Sequence, residues 1–243
     1  GQPFTLEEHL QRIMQSGEKI RLNMPYDTEQ MSTIIKQLIS ENSLDLGIVY
    51  VQITRGATSR QHAFPGDDVP ATFFAYTKPL KRPSEQHNNG VKAKTEEDIR
   101  WLKCDIKSLN LLGNILAKQN AVHNGCFEAI FVRDGFVTEG SSSNIHIVKN
   151  GIVKTHPANN LILNGITRLV MLKQCEKINI EVEESPFTEI ELLAADEVFL
   201  TSTTSEIIPI VEVDGQKIGN GVVGPMTKKL QQSFEIEIEE QCK

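Results

Sequence analysis

Two dipeptides constrain the fold of this chain more than any other feature: Asp134-Gly135 and Asn150-Gly151, each set between short runs rich in β-branched and aromatic residues. Both pairs readily adopt the positive φ angles of a two-residue hairpin turn. Residues 127–132 with 136–139, and 145–149 with 152–155, are therefore expected to fold back as antiparallel strands. Further strands are expected at 46–54, 71–78, 90–93, 198–200 and 207–213. Helix-period apolar residues mark 5–17, 27–41 (Met31, Ile34, Ile35, Leu38), 108–124, 167–178 and 225–234. Hairpins mixed with helices give an α+β, or mixed α/β, class. Thr5-Leu6-Glu7-Glu8 has the form of a capping box opening the first helix.

The 243 residues suit one large or two small domains. The polar, proline-bearing stretch 78–89 reads as a linker. It divides a small α/β domain with its linker, 1–82, from a larger C-terminal domain, 83–243. The net charge of −7, with dispersed basic residues, argues against a nucleic-acid partner. No apolar run is long enough to span a bilayer, so no membrane partner is expected. Cys104, Cys126, Cys175 and Cys242 lie far apart, which fits reduced thiols better than a zinc site or a disulfide framework. These features point to a cytoplasmic protein without a metal.

Lys107 follows Cys104-Asp105-Ile106 and precedes the apolar positions Leu109, Leu112, Ile115 and Leu116. A lysine at such a junction is expected to be partly withdrawn from water, which favours its neutral amine. A neutral amine can attack an aldehyde to form a Schiff base. Three later loops carry short polar residues at strand ends or helix starts: 139–144, 164–168 and 201–205. Free amides at Ile166 and Thr167 and the Thr167 hydroxyl suit a phosphate, and 201–205 offers hydroxyls and amides after a strand. Taken singly, each loop is also an ordinary turn or cap.

Taken together, Asp98-Ile99-Arg100 through Asp105-Ile106-Lys107-Ser108-Leu109-Asn110, Glu139 to Asn144, His156-Pro157-Ala158-Asn159-Asn160, Gly165 to Arg168 and Ser202-Thr203-Thr204-Ser205-Glu206 resemble the fold-type IV aminotransferases, which use pyridoxal 5'-phosphate. Arg60-Gln61-His62 brings the likeness closest to the D-amino acid branch. The resemblance implies a two-domain fold whose N-terminal domain is truncated here, since the family's opening strands have no counterpart before the first helix. It implies Lys107 as the catalytic lysine, holding the cofactor as a Schiff base and moving the substrate α-proton. It also implies Glu139 as the partner of the pyridine nitrogen. Arg12, Ile166, Thr167, Ser202 and Thr203 are implied as phosphate ligands, and Leu163 as the residue packed beneath the ring. Arg60 and His62 would bind the substrate carboxylate in the neighbouring subunit's site, which implies a homodimer.

The implied activity is amino transfer between D-amino acids such as D-alanine and 2-oxo acids, with 2-oxoglutarate giving D-glutamate and D-alanine giving pyruvate. In bacteria that reaction supplies D-amino acids for peptidoglycan. Branched-chain aminotransferases usually carry Lys-x-Gly-Gly-Asn and Glu-x-Gly-Gly where this chain has Lys107-Ser108-Leu109-Asn110 and Glu139-Gly140-Ser141-Ser142. Aminodeoxychorismate lyase shares Lys-x-Leu-Asn and is the nearer alternative. An inactive, N-terminally truncated fragment is a third.

Overall fold

A computed structural model describes residues 1–242. The chain divides into two compact units, residues 1–81 with those from 238 onward, and residues 82–237.

The first unit is built from α1 (Leu6–Lys19), α2 (Thr28–Glu41), β1 (Gly47–Thr54) and β2 (Thr72–Pro79). The strands pair antiparallel along their whole length, Gly47 opposite Pro79 and Thr54 opposite Thr72. The two-residue period of a strand puts Val49, Val51 and Ile53 on one face. With Phe73 they pack against Leu10, Met31, Ile35, Ile39 and Leu44. Met31, Ile35 and Ile39 recur at four-residue spacing and so share one face of α2. Asp27 and Gln30 start that helix with a reciprocal capping box. The box expected at Thr5 does not form. An N-cap needs extended backbone to aim its side chain at the third amide, whereas Thr5 is left-handed at φ 53 and ψ 38. Its hydroxyl donates instead to the Phe4 carbonyl.

The second unit opens with α3 (Ser84–Asn89), β3 (Val91–Glu97), α4 (Leu112–His123), β4 (Glu128–Arg133), β5 (Phe136–Gly140), β6 (Asn144–Lys149) and β7 (Ile152–Thr155). It continues through α5 (Ile166–Lys177), β8 (Val182–Glu184), β9 (Phe187–Thr188), α6 (Glu189–Leu193), β10 (Glu197–Ser202), β11 (Glu206–Val213) and β12 (Gln216–Lys217). Helix α7 (Pro225–Gln241) follows. One sheet runs in the order β8-β7-β6-β10-β11-β3-β4-β5-β9, with β12 paired to β11. Strand β3 is parallel to both β4 and β11, whereas β4–β5, β6–β7, β6–β10 and β10–β11 are antiparallel. Asp134 and Gly135, at φ 52 and 81, and Asn150 and Gly151, at φ 51 and 82, form the two expected hairpin turns. Inward residues including Ile130, Ile145, Ile147, Phe187, Val198, Leu200, Ile208 and Ile210 make one core. No helix among the described residues is long and apolar enough to cross a membrane.

Three local expectations are corrected. The stretch read as a linker contains α3, which begins directly after Pro83. The helix expected from residue 108 begins at Leu112, and residues 98–111 run without regular structure. That helix also buries the face opposite to the one its leucines suggest. Ala117 and Ala121 pack on Ala129 and Phe131, while Leu112, Ile115 and Leu116 stand exposed. Alanine allows close approach of helix and sheet, and the larger side chains are left outside.

Candidate active site

Glu139 ends up at the centre of a buried polar cluster. It lies near the end of β5 with a side chain 7% exposed. Its Oε1 accepts from Arg100 Nη1 at 2.5 Å. Its Oε2 accepts from the Leu163 amide at 2.9 Å and from Asn144 Nδ2 at 3.2 Å. Burial pushes the Glu139 carboxyl up to about 7, against the pull of Arg100 and of the Leu163 amide. Asn144 also donates to the Leu163 carbonyl at 2.8 Å, so one amide side chain ties the carboxylate to the turn before α5. A side chain at position 165 would collide with Asn144, its Cβ falling 2.2 Å from Oδ1. Gly165 therefore permits this close approach.

Arg100 spans two acids. Its Nε and Nη2 donate to Asp98 at 2.9 and 3.0 Å, and Nη2 also reaches the Leu161 carbonyl at 3.3 Å. Its guanidinium carbon lies 4.2 Å from the centre of the Phe131 ring. Asp98 is met in turn by Arg133 Nη2 at 3.0 Å and by the Thr138 hydroxyl at 2.9 Å. Burial alone would raise the Asp98 carboxyl, but the two arginines and Thr138 hold it down to about 2.

The loop after Glu139 rests on a second buried acid, Glu128, which accepts from the hydroxyls of Ser141 and Ser143. Asn114 on α4 donates to the Ser141 carbonyl at 2.9 Å. The segment leading to Lys107 is pinned by Cys104, whose amide donates to the Asn160 carbonyl at 2.9 Å. Cys104 and Ile106 are buried, but Lys107 itself stands exposed. The withdrawal from water expected there is not provided by the surrounding leucines, because Leu109, Leu112, Ile115 and Leu116 turn outward as well.

Helix α5 begins at Ile166 behind Gly165, and no side chain caps it among the described residues. Ile166 and Thr167 are both buried. An uncapped helix start offers amide donors and the positive end of the helix dipole. The helix packs on β10, whose last residues Thr201 and Ser202 lead to Thr203. Thr201 pairs with Asn144 across β10 and β6. His146, two residues further along β6, shares a 2.9 Å hydrogen bond between Nε2 and the Thr201 hydroxyl, and burial holds it neutral. The pairing thus brings Asn144, Leu163, the α5 start and the end of β10 to one region around Glu139.

The other expected residues lie in the first unit. Arg12 is half-buried on α1, with its guanidinium pulled down to about 10 by burial and Nη2 3.5 Å from His9 Nδ1. Arg60 and His62 are exposed on the loop between β1 and β2. That loop is anchored by Phe64, whose ring carries Arg55 at 3.6 Å and Arg21 at 5.0 Å. Asp98, Arg100 and Asn144 lie in segments that carry the family resemblance but receive no role from it; an Asp-x-Arg step after a strand is the available signal.

This donor set fits pyridoxal phosphate. An uncapped, buried helix start with nearby hydroxyls suits the phosphate, and a buried carboxylate with lone pairs to spare suits a ring N–H. No metal-ligating cluster occurs among the described residues.

The fold and this set of groups are those of a class IV aminotransferase, and the chain belongs to that family: the amino-transferase class IV profile matches residues 1–213. Among its relatives, the D-alanine aminotransferase of Staphylococcus aureus (strain MSSA476) is 47% identical over 239 residues, covering 98% of this chain and 85% of that protein. The D-alanine aminotransferase of Bacillus licheniformis is 45% identical over 235 residues, 97% of this chain and 83% of that protein. Among solved structures, the branched-chain amino acid aminotransferase of Escherichia coli superposes with a TM-score of 0.90 at 27% identity, over 96% of this chain and 79% of that one. The branched-chain enzyme of Thermobaculum terrenum, solved in its PLP form, gives 0.85 at 29% identity, over 97% and 79%.

Proposed function

We propose that this chain is a pyridoxal-phosphate-dependent aminotransferase acting on D-amino acids, D-alanine foremost, with 2-oxo acids as acceptors. The observation that carries this reading is the 47% identity to a D-alanine aminotransferase across 98% of the chain. Pyridoxal phosphate, when bound, would supply an amine-reactive aldehyde and an electron-withdrawing ring. The Lys107 amine would anchor the cofactor and carry the proton to and from the substrate α-carbon. Glu139 would accept a hydrogen bond from the ring nitrogen and favour its protonated form. Amides and hydroxyls of Ile166, Thr167, Ser202 and Thr203 would take the phosphate; for the Arg12 guanidinium, on the first unit, that role rests on the family resemblance alone. Leu163 supports the ring through the same turn whose amide holds Glu139. Arg60 and His62 would take the substrate carboxylate in the neighbouring subunit's site.

Purified protein with pyridoxal phosphate, D-alanine and 2-oxoglutarate is expected to release pyruvate in a lactate-dehydrogenase-coupled assay. Pyruvate formed only from L-alanine, or none from either enantiomer, overturns the reading.

The working unit is a homodimer. Ile99, Leu102, Leu109, Leu112, Ile115 and Leu116 stand exposed within eighteen residues of chain, from 99 to 116. An apolar patch of that density is costly to leave in water and favours association. Sedimentation is expected to give a dimer at micromolar concentration, and Leu112→Glu with Leu116→Glu is expected to give a monomer. A wild-type monomer would remove this part of the proposal. Four unpaired, dispersed cysteines support a reducing, cytoplasmic setting.

A further inference from the structure

We propose that Arg100 is a positioning residue for Glu139, fixing both the orientation and the charge of the carboxylate that faces the cofactor ring. The proposal rests on the reading of Glu139 as the partner of the ring nitrogen.

The geometry separates the two oxygens of Glu139. Oε1 is taken by Arg100 at 2.5 Å, and Oε2 is shared by the Leu163 amide and Asn144. These three donors come from separate parts of the second unit, namely the irregular segment after β3, the turn before α5, and β6. They leave the carboxylate one orientation. Arg100 is itself immobilised. Its fork is closed on Asp98, its Nη2 reaches Leu161, its guanidinium lies on Phe131, and its side chain is 5% exposed. Arg133, on β4, adds a hydrogen bond to the Arg100 carbonyl at 2.8 Å.

The charges explain why an arginine is needed. The groups gathered around Glu139 are Asp98 and Arg100 from the segment after β3, Arg133 from β4, and the Cys104 thiol, which burial raises to about 11 and so keeps neutral. Two acids then balance two bases. Without Arg100, Glu139 keeps its burial and the repulsion of Asp98 and loses its counter-ion, so its protonated form gains. A protonated carboxyl is a poor acceptor for a charged ring N–H. A lysine cannot replace the arginine, because a single ammonium does not span Asp98 and Glu139 as a planar fork does.

The test follows the carboxyl itself. Protein labelled with 13C at the glutamate side-chain carboxyl is titrated by NMR without cofactor, and the Glu139 signal is assigned by its loss in Glu139→Gln. The wild-type midpoint is expected at about 7. In Arg100→Gln it is expected to move to higher pH, and in Arg100→Lys to an intermediate value. The acid limb of the kcat/KM profile for D-alanine is expected to move the same way. At pH 7 the rate of Arg100→Gln is expected to fall about tenfold or more, with partial recovery in Arg100→Lys. Circular dichroism reports folding, and if Arg100→Gln is unfolded the lysine variant decides alone. An unchanged carboxyl titration, or a shifted titration with an unmoved pH profile, overturns the proposal. If Glu139→Gln keeps full activity, the role of Glu139 falls and the proposal with it. If Glu139→Gln is impaired while the Arg100 variants match wild type, only the role of Arg100 is lost.

Discussion

Lys107→Ala is expected to abolish D-alanine transamination without unfolding the protein. The side chain is exposed on a segment held by its neighbours, through buried Ile106 and the Cys104–Asn160 backbone hydrogen bond. Truncating it should cost stability within about 0.5 kcal/mol. Its chemical loss is larger. Removing a positioned proton carrier costs about 10²–10⁴-fold in rate, and here the same amine also anchors the cofactor. Two measurements check this. The coupled assay should fall by at least that factor, with the melting temperature unchanged. After borohydride treatment in the presence of cofactor, peptide mapping should place the reduced cofactor on the Lys107 peptide of wild type and nowhere in the variant. A variant retaining a tenth of wild-type activity would exclude Lys107 from the chemistry.

The second large effect is on stability. Asp98→Ala removes a carboxylate with a fully buried side chain that meets both Arg100 and Arg133. Arg100, buried, then keeps Glu139 as its acid partner, and the partly buried Arg133 loses this ion pair. Breaking a buried ion pair by deleting one partner costs about 3–5 kcal/mol. For a unit of this size each kcal/mol lowers the melting temperature by about 2–4 °C. The pH dependence has a definite sign. Asp98 is held at about 2 in the folded protein, below its ordinary 3.8. Its contribution is therefore fully present above the ordinary value and fades as pH falls through about 2. Denaturant unfolding should separate wild type from Asp98→Ala most clearly near neutrality, and the two curves should converge toward pH 2. A difference under about 1 kcal/mol at pH 7 would mean that the arginines find other partners.

Much of the architecture was legible because it is local. Asp134-Gly135 and Asn150-Gly151 specify turns through backbone torsions confined to two residues, and the turns form where expected. Helix periodicity over 27–41 places α2 and two of its buried residues, Met31 and Ile35, while Ile39 rather than Ile34 or Leu38 completes the buried face. Local signals failed where a neighbour outbid them. Thr5 has the residues of a capping box but gives its hydroxyl to Phe4. Helix α4 carries leucines at helical spacing and yet buries its alanines against β4. Periodicity reports that two faces differ, and packing decides which of them turns inward.

The candidate site divides along the same line. Residue types in order along the chain, read through a family resemblance, are enough to nominate Lys107, Glu139, Thr167 and Ser202. By itself the sequence determined the hairpins, the principal helices, the mixed class and the chemistry available at each loop. Only the tertiary structure decided that Glu139 is buried, that Asn144 and the Leu163 amide hold one of its oxygens while Arg100 holds the other, and that Lys107 is exposed. Arg100 and Glu139 are thirty-nine positions apart, and Glu139 and Leu163 twenty-four. Contacts at such separations depend on strand order and register, and the charge state of a carboxylate depends on the water those contacts remove.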